Sequence, residues 1–538
     1  MVLLFYIGSL GRSSRFNASH LVSFRVNTMK SSRVFLVSGL VVVALIYMMT
    51  LGGNKGESIG TLHLYCAANM RKSVEELAKK YFEKYKVTIE ADYDGSGSLL
   101  GKLQAEARSA REEKRGDLYL AADDSYIFKA REKGLVAESL PVAYMRPVIA
   151  VQKGNPKGIS KVEDLLAEGL KVAVCNPDQA AVGRSARRVL QESGHWDRLE
   201  KKVTVMKPKV TDLANDVKLG TVDAAIVWDS TVAMYPELQA IRDPLLGKER
   251  VNVTLGVVSS SRSPSSALRF ARFLASEDEG LPVFRENGFE TPGGDPWEEI
   301  PELVVWSGGV NRLAIEESVK EFREREGVEV ATIFGGCGSL TAQMKTVWDT
   351  PRFPDVYFAC DRVYMDNVND WYLSSEDVSE TDMVILAPKD NPRRIRGLED
   401  LGADGMRLGV ADPAKSALGR LTVRLLKKAG LYEKVYSKVE TRAGTADFLV
   451  NQIVVSEGKS LDAVIVYLAN TARVRDKVAI VKIDHPEARA EQPIAISRIS
   501  TRSRLARRFI DKILSPVSQE RFENMGFRWQ AGGKEGSE

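Results

Sequence analysis

Two stretches of the chain carry residue types at a spacing that could do chemistry. Asp94-Gly95-Ser96-Gly97-Ser98-Leu99-Leu100 follows an alternating segment, Thr88 to Tyr93, that reads as a strand, and it opens into a helical pattern from Leu99 to Ala110. A strand that ends in Gly-Ser-Gly and turns into a helix leaves backbone N–H groups and a hydroxyl at the helix N-terminus. That arrangement suits a small anion without a fixed positive charge. A near-copy occurs as Phe334-Gly335-Gly336-Cys337-Gly338-Ser339-Leu340. One Gly/Ser turn alone is more often a plain turn, and the recurrence gives the binding reading its weight. Other chemistries find no support. No Ser/His/Asp or Cys/His arrangement is legible, and no nucleotide-binding fingerprint follows a strand. His63 and His195 have no partner at ligand spacing, and the four cysteines show no paired C-x-x-C spacing.

The elements that must position these stretches alternate short strands with amphipathic helices, the pattern of an α/β protein with a mostly parallel sheet. Strands are expected at Leu62–Ala68, Asp117–Asp123, Val148–Val151, Lys171–Cys175 and Ala224–Trp228. Helices are expected at Ser73–Tyr85, Gly183–Ser193 and Asp212–Leu219. The series then begins again at Leu303-Val304-Val305-Trp306-Ser307. Landmarks recur in the same order at offsets of 236 residues (Lys389 against Lys153) to 241 residues (Gly336 against Gly95). Asp355-Val356-Tyr357 answers Asp117-Leu118-Tyr119, Val464-Ile465-Val466-Tyr467 answers Ala225-Ile226-Val227-Trp228, and Gly526-Phe527 answers Gly288-Phe289. The chain is a tandem duplication, with Thr291-Pro292-Gly293-Gly294-Asp295-Pro296 as the linker. Each copy is large for one core and is expected to split into two lobes. The break is placed after Tyr144-Met145-Arg146-Pro147 in the first copy and before Met383 in the second.

At 538 residues, two or more domains are the prior. Apolar and charged fractions of 44% and 28% are those of a globular protein with ample core. A formal charge of +4 against 76 basic residues does not argue for nucleic acid. Residues 1–33 are basic and lack acidic residues. The uncharged run 34–51 is about long enough to span a bilayer, and it reads as a transmembrane anchor or, alternatively, an export signal. Arg25, Lys30 and Arg33 before it would keep the N-terminus cytoplasmic and place the rest outside.

In the order of its landmarks each copy resembles a periplasmic solute-binding protein of the molybdate-binding family. The resemblance rests on Cys66-Ala67-Ala68-Asn69-Met70, Gly95-Ser96-Gly97, Asp117 to Asp123, Asn176-Pro177 to Gly183, Ala225 to Trp228 and Gly288-Phe289. It implies an α/β fold: two tandem bilobal, type II periplasmic-binding units, each lobe a mixed mostly parallel sheet flanked by helices, after an N-terminal transmembrane helix. The implied domains are units at 60–293 and 300–538. The implied ligand contacts in the first copy are Asn69, Ser96, the N–H of Val182, the region of Val210, and Trp228. Asn69 stands where the family has serine and Trp228 where it has tyrosine, and both replacements keep a donor. In the second copy Val310 occupies the first serine position and Cys337 the second. Leu418, in the retained Asp412-to-Gly419 turn, and Tyr467 complete that set. By the same alignment Cys337 and Cys360 sit at adjacent strand ends. They are unpaired core residues, a disulfide, or a soft thiolate site for a metal.

The resemblance implies an extracytoplasmic, membrane-anchored receptor, monomeric and without a cofactor. It would capture a small oxyanion, molybdate or tungstate, and hand it to an ABC permease on the periplasmic face of the inner membrane. No catalysis and no nucleic acid are expected. The alternative is a sensor or adaptor in which the second copy is degenerate or binds something else, such as a metal. Two bland readings complete the expectations: Asp123 and Asp124 as a solvated strand end, with cleft residues as the alternative, and Arg502 to Arg508 as the wet face of an amphipathic helix, with a permease contact as its alternative.

Overall fold

The computed structural model describes residues 60–109 and 116–532. The run expected to anchor the chain, 34–51, lies outside the described residues, and no helix among those described is long and apolar enough to cross a membrane.

In the first repeat, strands β1 (Gly60–Ala67), β2 (Val87–Asp94), β3 (Leu118–Ala121), β4 (Val136–Met145), β5 (Pro147–Gln152), β6 (Val172–Cys175), β7 (Val205–Lys207), β8 (Ala224–Trp228), β9 (Leu238–Ile241) and β10 (Val251–Val258) form two sheets. The first lobe has the order β2-β1-β3-β10-β4 and the second β7-β6-β8-β5-β9. In each, four strands run the same way and one, β10 or β5, runs against them. The central strands β3, β6 and β8 are buried along their whole length. They are continuous apolar runs because helices cover both faces. Cys66 in β1 and Cys175 in β6 are buried and unpaired, and burial pushes both thiols far above their usual range.

The second repeat has β11 (Glu302–Gly308), β12 (Glu329–Gly335), β13 (Val356–Phe358), β14 (Glu376–Pro388), β15 (Leu408–Ala411), β16 (Val439–Ala443), β17 (Ala463–Tyr467), β18 (Val478–Lys482), β19 (Arg489–Ile496) and β20 (Arg528–Trp529). Its strands repeat both orders, as β12-β11-β13-β19-β14 and β16-β15-β17-β14-β18. The lobe break expected before Met383 is not a break in the chain's path. β14 runs through it for 13 residues and serves both lobes, pairing with β19 on one side of Met383 and with β17 beyond it. In the first repeat Pro147 lies opposite Trp228, as Met383 lies opposite Tyr467. Proline has no N–H, so the strand divides into β4 and β5 there, whereas the Met383 N–H donates to Ala488 O at 2.8 Å.

The repeats meet through their first lobes. Glu326, at the end of the Arg312–Glu326 helix, is 2% exposed. It accepts from Arg508 (Nε 2.7 Å, Nη2 3.1 Å) and from Arg272 Nη1 at 3.2 Å. Burial would raise its carboxyl, but Arg508 and Arg272 outweigh burial and lower it. Arg325 grips Glu138 of the first repeat with both ends of its guanidinium, at 2.8 and 3.0 Å. The reading of Arg502 to Arg508 as a wet face is therefore corrected. The Ser503–Ile513 helix is amphipathic, but the arginines at its start are not left to solvent: Arg502 pairs with Glu298 and Arg504 donates to Gly293 O, both at the linker, and Arg508 is held by Glu326 of the same repeat. Alternation of charge and apolar side chains locates the helix; the charged partner that buries it lies about 200 residues away in sequence.

Candidate functional site

Three helices of the first repeat open on the space between its lobes. They begin at Ser96 after Gly95, at Ala181 after Ala180, and at Val210 after Lys209, and none has a side-chain cap. The first N–H groups of a helix have no intrahelical acceptor. At Ala181, Val182 and Val210 they have no partner among the described residues. Together the three ends make a site poor in fixed charge and rich in donors and dipole.

The hollow they enclose is lined by Asn69, Ser96, Val182, Val210 and Trp228, with Lys209 at its edge. All five residues expected to contact a ligand in this repeat thus face one space. It leaves about 20 Å³ for the centre of a water-sized sphere, so a rounded occupant of about 3 Å radius fits, the envelope of a four-oxygen anion. Ser96 Oγ accepts the Ala122 N–H at 3.0 Å, which orients the hydroxyl and leaves its proton free to donate. The Trp228 indole N–H has no partner among the described residues, and the residue is 1% exposed at the end of β8. Asn69 is 2% exposed and its amide lies 2.9 Å from Met145 Sδ. Lys209 pairs with Asp94 at 3.7 Å, so the charge nearest the hollow is already answered.

The cleft is closed, and the glycines explain how. Gly97 N donates to Gln179 O at 2.9 Å across the lobes. A Cβ on Gly95 would lie 2.5 Å from the carbonyls of Gln179 and Pro208, and one on Gly97 2.5 Å from Asp178 O. The Gly-Ser-Gly turn lets two backbones touch. Arg184 of the second lobe adds a latch, 3.5 Å from Asp123 and 3.7 Å above the Tyr126 ring. Asp123 is therefore not a solvated strand end. It is 3% exposed, caps its helix by accepting the Ser125 N–H, and faces Arg184. Sequence reading missed this latch, although Asp361, Tyr364 and Arg420 repeat it at matching positions.

The second repeat closes in the same way, with Ser339 N donating to Lys415 O at 3.1 Å. Its donor set differs. Of the three states left open for Cys337 and Cys360, the structure has the disulfide, with Cα atoms 6.4 Å apart. The Cys360 N–H also reaches Cys337 Sγ at 3.1 Å, which is the Ala122-to-Ser96 contact of the first repeat remade. A Cβ on Gly308 would lie 2.6 Å from Cys360 Sγ, and the first repeat has Ala67 at the matching position. Ala, Ser and Ala in one repeat have become Gly, Cys and Cys in the other. Val310 is apolar and buried, Leu418 is buried in the first turn of the Ala417–Lys428 helix, and Tyr467 Oη, at the end of β17, is buried with no partner among the described residues. Burial pushes the Asp361 carboxyl up to about 6, against the pull of Arg424 and Arg420.

A family model described as bacterial extracellular solute-binding protein matches residues 62–290 and again 303–528. The chain belongs to this family. As a solute-binding protein it is similar to the molybdate-binding protein ModA of Mycobacterium tuberculosis, at 26% identity over 48% of the chain and 95% of the relative. ModA of Escherichia coli is 24% identical over 35% of the chain and 76% of that protein. Among solved structures, the periplasmic molybdate-binding protein of Azotobacter vinelandii aligns over 43% of the chain and 99% of its own, at 16% identity and a TM-score of 0.36. The sulfate-binding protein SubI of Mycobacterium tuberculosis aligns over 43% and 88%, at 18% identity and a TM-score of 0.36. Each relative thus corresponds to about half of this chain, the size of one repeat.

Proposed function

We propose that the first repeat captures a small tetrahedral oxyanion, molybdate or tungstate, between its lobes, and that the chain delivers it to an ABC permease from the extracytoplasmic side. The observation that carries this is the convergence of three uncapped helix N-termini with Ser96 and Trp228 around a hollow that fits such an anion. The ModA relatives, named for molybdate, support the choice of ligand. Binding is hinge closure: the anion bridges both lobes, and the closed form is what the permease reads. The run 34–51 would hold the chain at the membrane.

A second reading concerns the second repeat. Its hydroxyl position is consumed by the Cys337–Cys360 disulfide and its first donor position is Val310. This favours a repeat that has left anion capture and serves as a sensor or adaptor. Titration of the full chain with molybdate, tungstate, sulfate and phosphate tests both. One bound anion per chain, weakened by about tenfold or more in Ser96→Ala, is the expected result. Two equivalent sites would refute the second reading, and none would refute the first.

A further inference from the structure

Contacts that the two lobes make with each other hold the first cleft closed. Arg184, the fourth residue of the Ala181–Glu192 helix in the second lobe, has its side chain 18% exposed. It reaches three groups of the first lobe: the Asp123 carboxylate at 3.5 Å, the Ser125 hydroxyl, and the face of the Tyr126 ring at 3.7 Å. A cation so near a helix N-terminus opposes the dipole, so these partners hold it rather than its own helix. Lys209 of the second lobe and Asp94 of the first add a more exposed pair at 3.7 Å.

The latch adjoins the residues around the hollow in both lobes. Asp123 follows Ala122, whose N–H fixes Ser96 Oγ, and Arg184 lies two residues after Val182. Making the latch therefore brings the donors of both lobes to one point.

The second repeat supplies a comparison. Arg420 stands in the place of Arg184, but its guanidinium lies 5.3 Å from the centre of the Tyr364 ring, and it makes no ion pair with Asp361 among the described residues. Thr445 and Gly335 replace Lys209 and Asp94. Neither ion pair of the first cleft is made at its matching place in the second.

We propose, on the reading that the first repeat captures an anion, that Arg184 is a positioning residue: its latch to Asp123 holds the lobes together and sets how long the anion stays bound. Arg184 need not touch the anion to do this. Truncating one partner of such a pair acts chiefly on the rate of dissociation.

Spin labels on Ala105→Cys and Glu192→Cys, exposed positions on the helices that carry Ser96 and Val182, report lobe separation with no anion present. Release of molybdate, followed in stopped flow by tryptophan fluorescence, reports residence. Arg184→Gln should lengthen the label distance and speed release by about tenfold. Asp123→Asn, which keeps a helix cap, should do the same in smaller measure, and the double variant should match Arg184→Gln, because the two share one contact. Arg420→Gln should change neither readout. An unchanged distance or an unchanged release rate in Arg184→Gln, or effects that add in full in the double variant, would overturn the proposal. A parent chain that binds no molybdate would refute anion capture instead, and the label distances would still decide the latch.

Discussion

The N–H of Gly97 and the carbonyl oxygen of Gln179 meet at 2.9 Å across the first cleft, one from each lobe. Closure is thus a backbone contact, which only residues without a Cβ permit at Gly95 and Gly97. Gly97→Ala should hold the lobes apart and weaken anion binding by about tenfold or more, since the donors no longer converge on one ligand. Gly338→Ala should prop open the second cleft, where a Cβ would lie 2.5 Å from Ala414 O, and leave anion affinity unchanged. Small-angle scattering with and without anion, and calorimetry, read the two effects.

The disulfide makes a different prediction. It closes a loop with a sequence separation of 23, so reduction should cost the second repeat about 3 kcal/mol. Thermal unfolding with and without reductant measures this. The triple change Gly308→Ala, Cys337→Ser, Cys360→Ala restores the residues of the first repeat and should tolerate reductant without a shift.

Asp361 sets a pH dependence. Its folded value, about 6, lies above the ordinary 3.8 because of burial. The folded state therefore holds the proton more tightly, and stability present below about pH 4 is lost as pH rises through 6. The span corresponds to about 3 kcal/mol. Asp361→Asn should flatten that slope while keeping an N-cap, as denaturant unfolding between pH 4 and 7 would show.

Glu326→Gln breaks a buried network by removing the charge that holds Arg272 and Arg508. A loss of about 3–5 kcal/mol is expected, read as a lower denaturation midpoint with the repeats unfolding separately.

Much of this was legible in sequence, because the duplication lets each half check the other. The alternation of strands and helices, and the helices that open close to Ser96 and Ala181, follow from local pattern and recurrence, whereas the residues around the hollow follow from the resemblance to the molybdate-binding family. What was hidden depends on distant partners. The Gly-Ser-Gly turn reads as an anion loop, yet its glycines serve lobe contact with Gln179 and Pro208. Asp123 reads as solvated because Arg184 lies 61 residues on. The continuity of β14 turns on one position, Pro147 against Met383, that periodicity cannot weigh. The arginines after Arg502 read as a wet face until Glu326 is placed against them.

The most direct measurement is calorimetric titration of the full chain and of Ser96→Ala with molybdate and tungstate. The account predicts one saturable site in the parent chain, weakened by about tenfold or more in Ser96→Ala, as loss of a hydrogen bond to a charged group requires. Binding that is absent in the parent, or unchanged in Ser96→Ala, would contradict it.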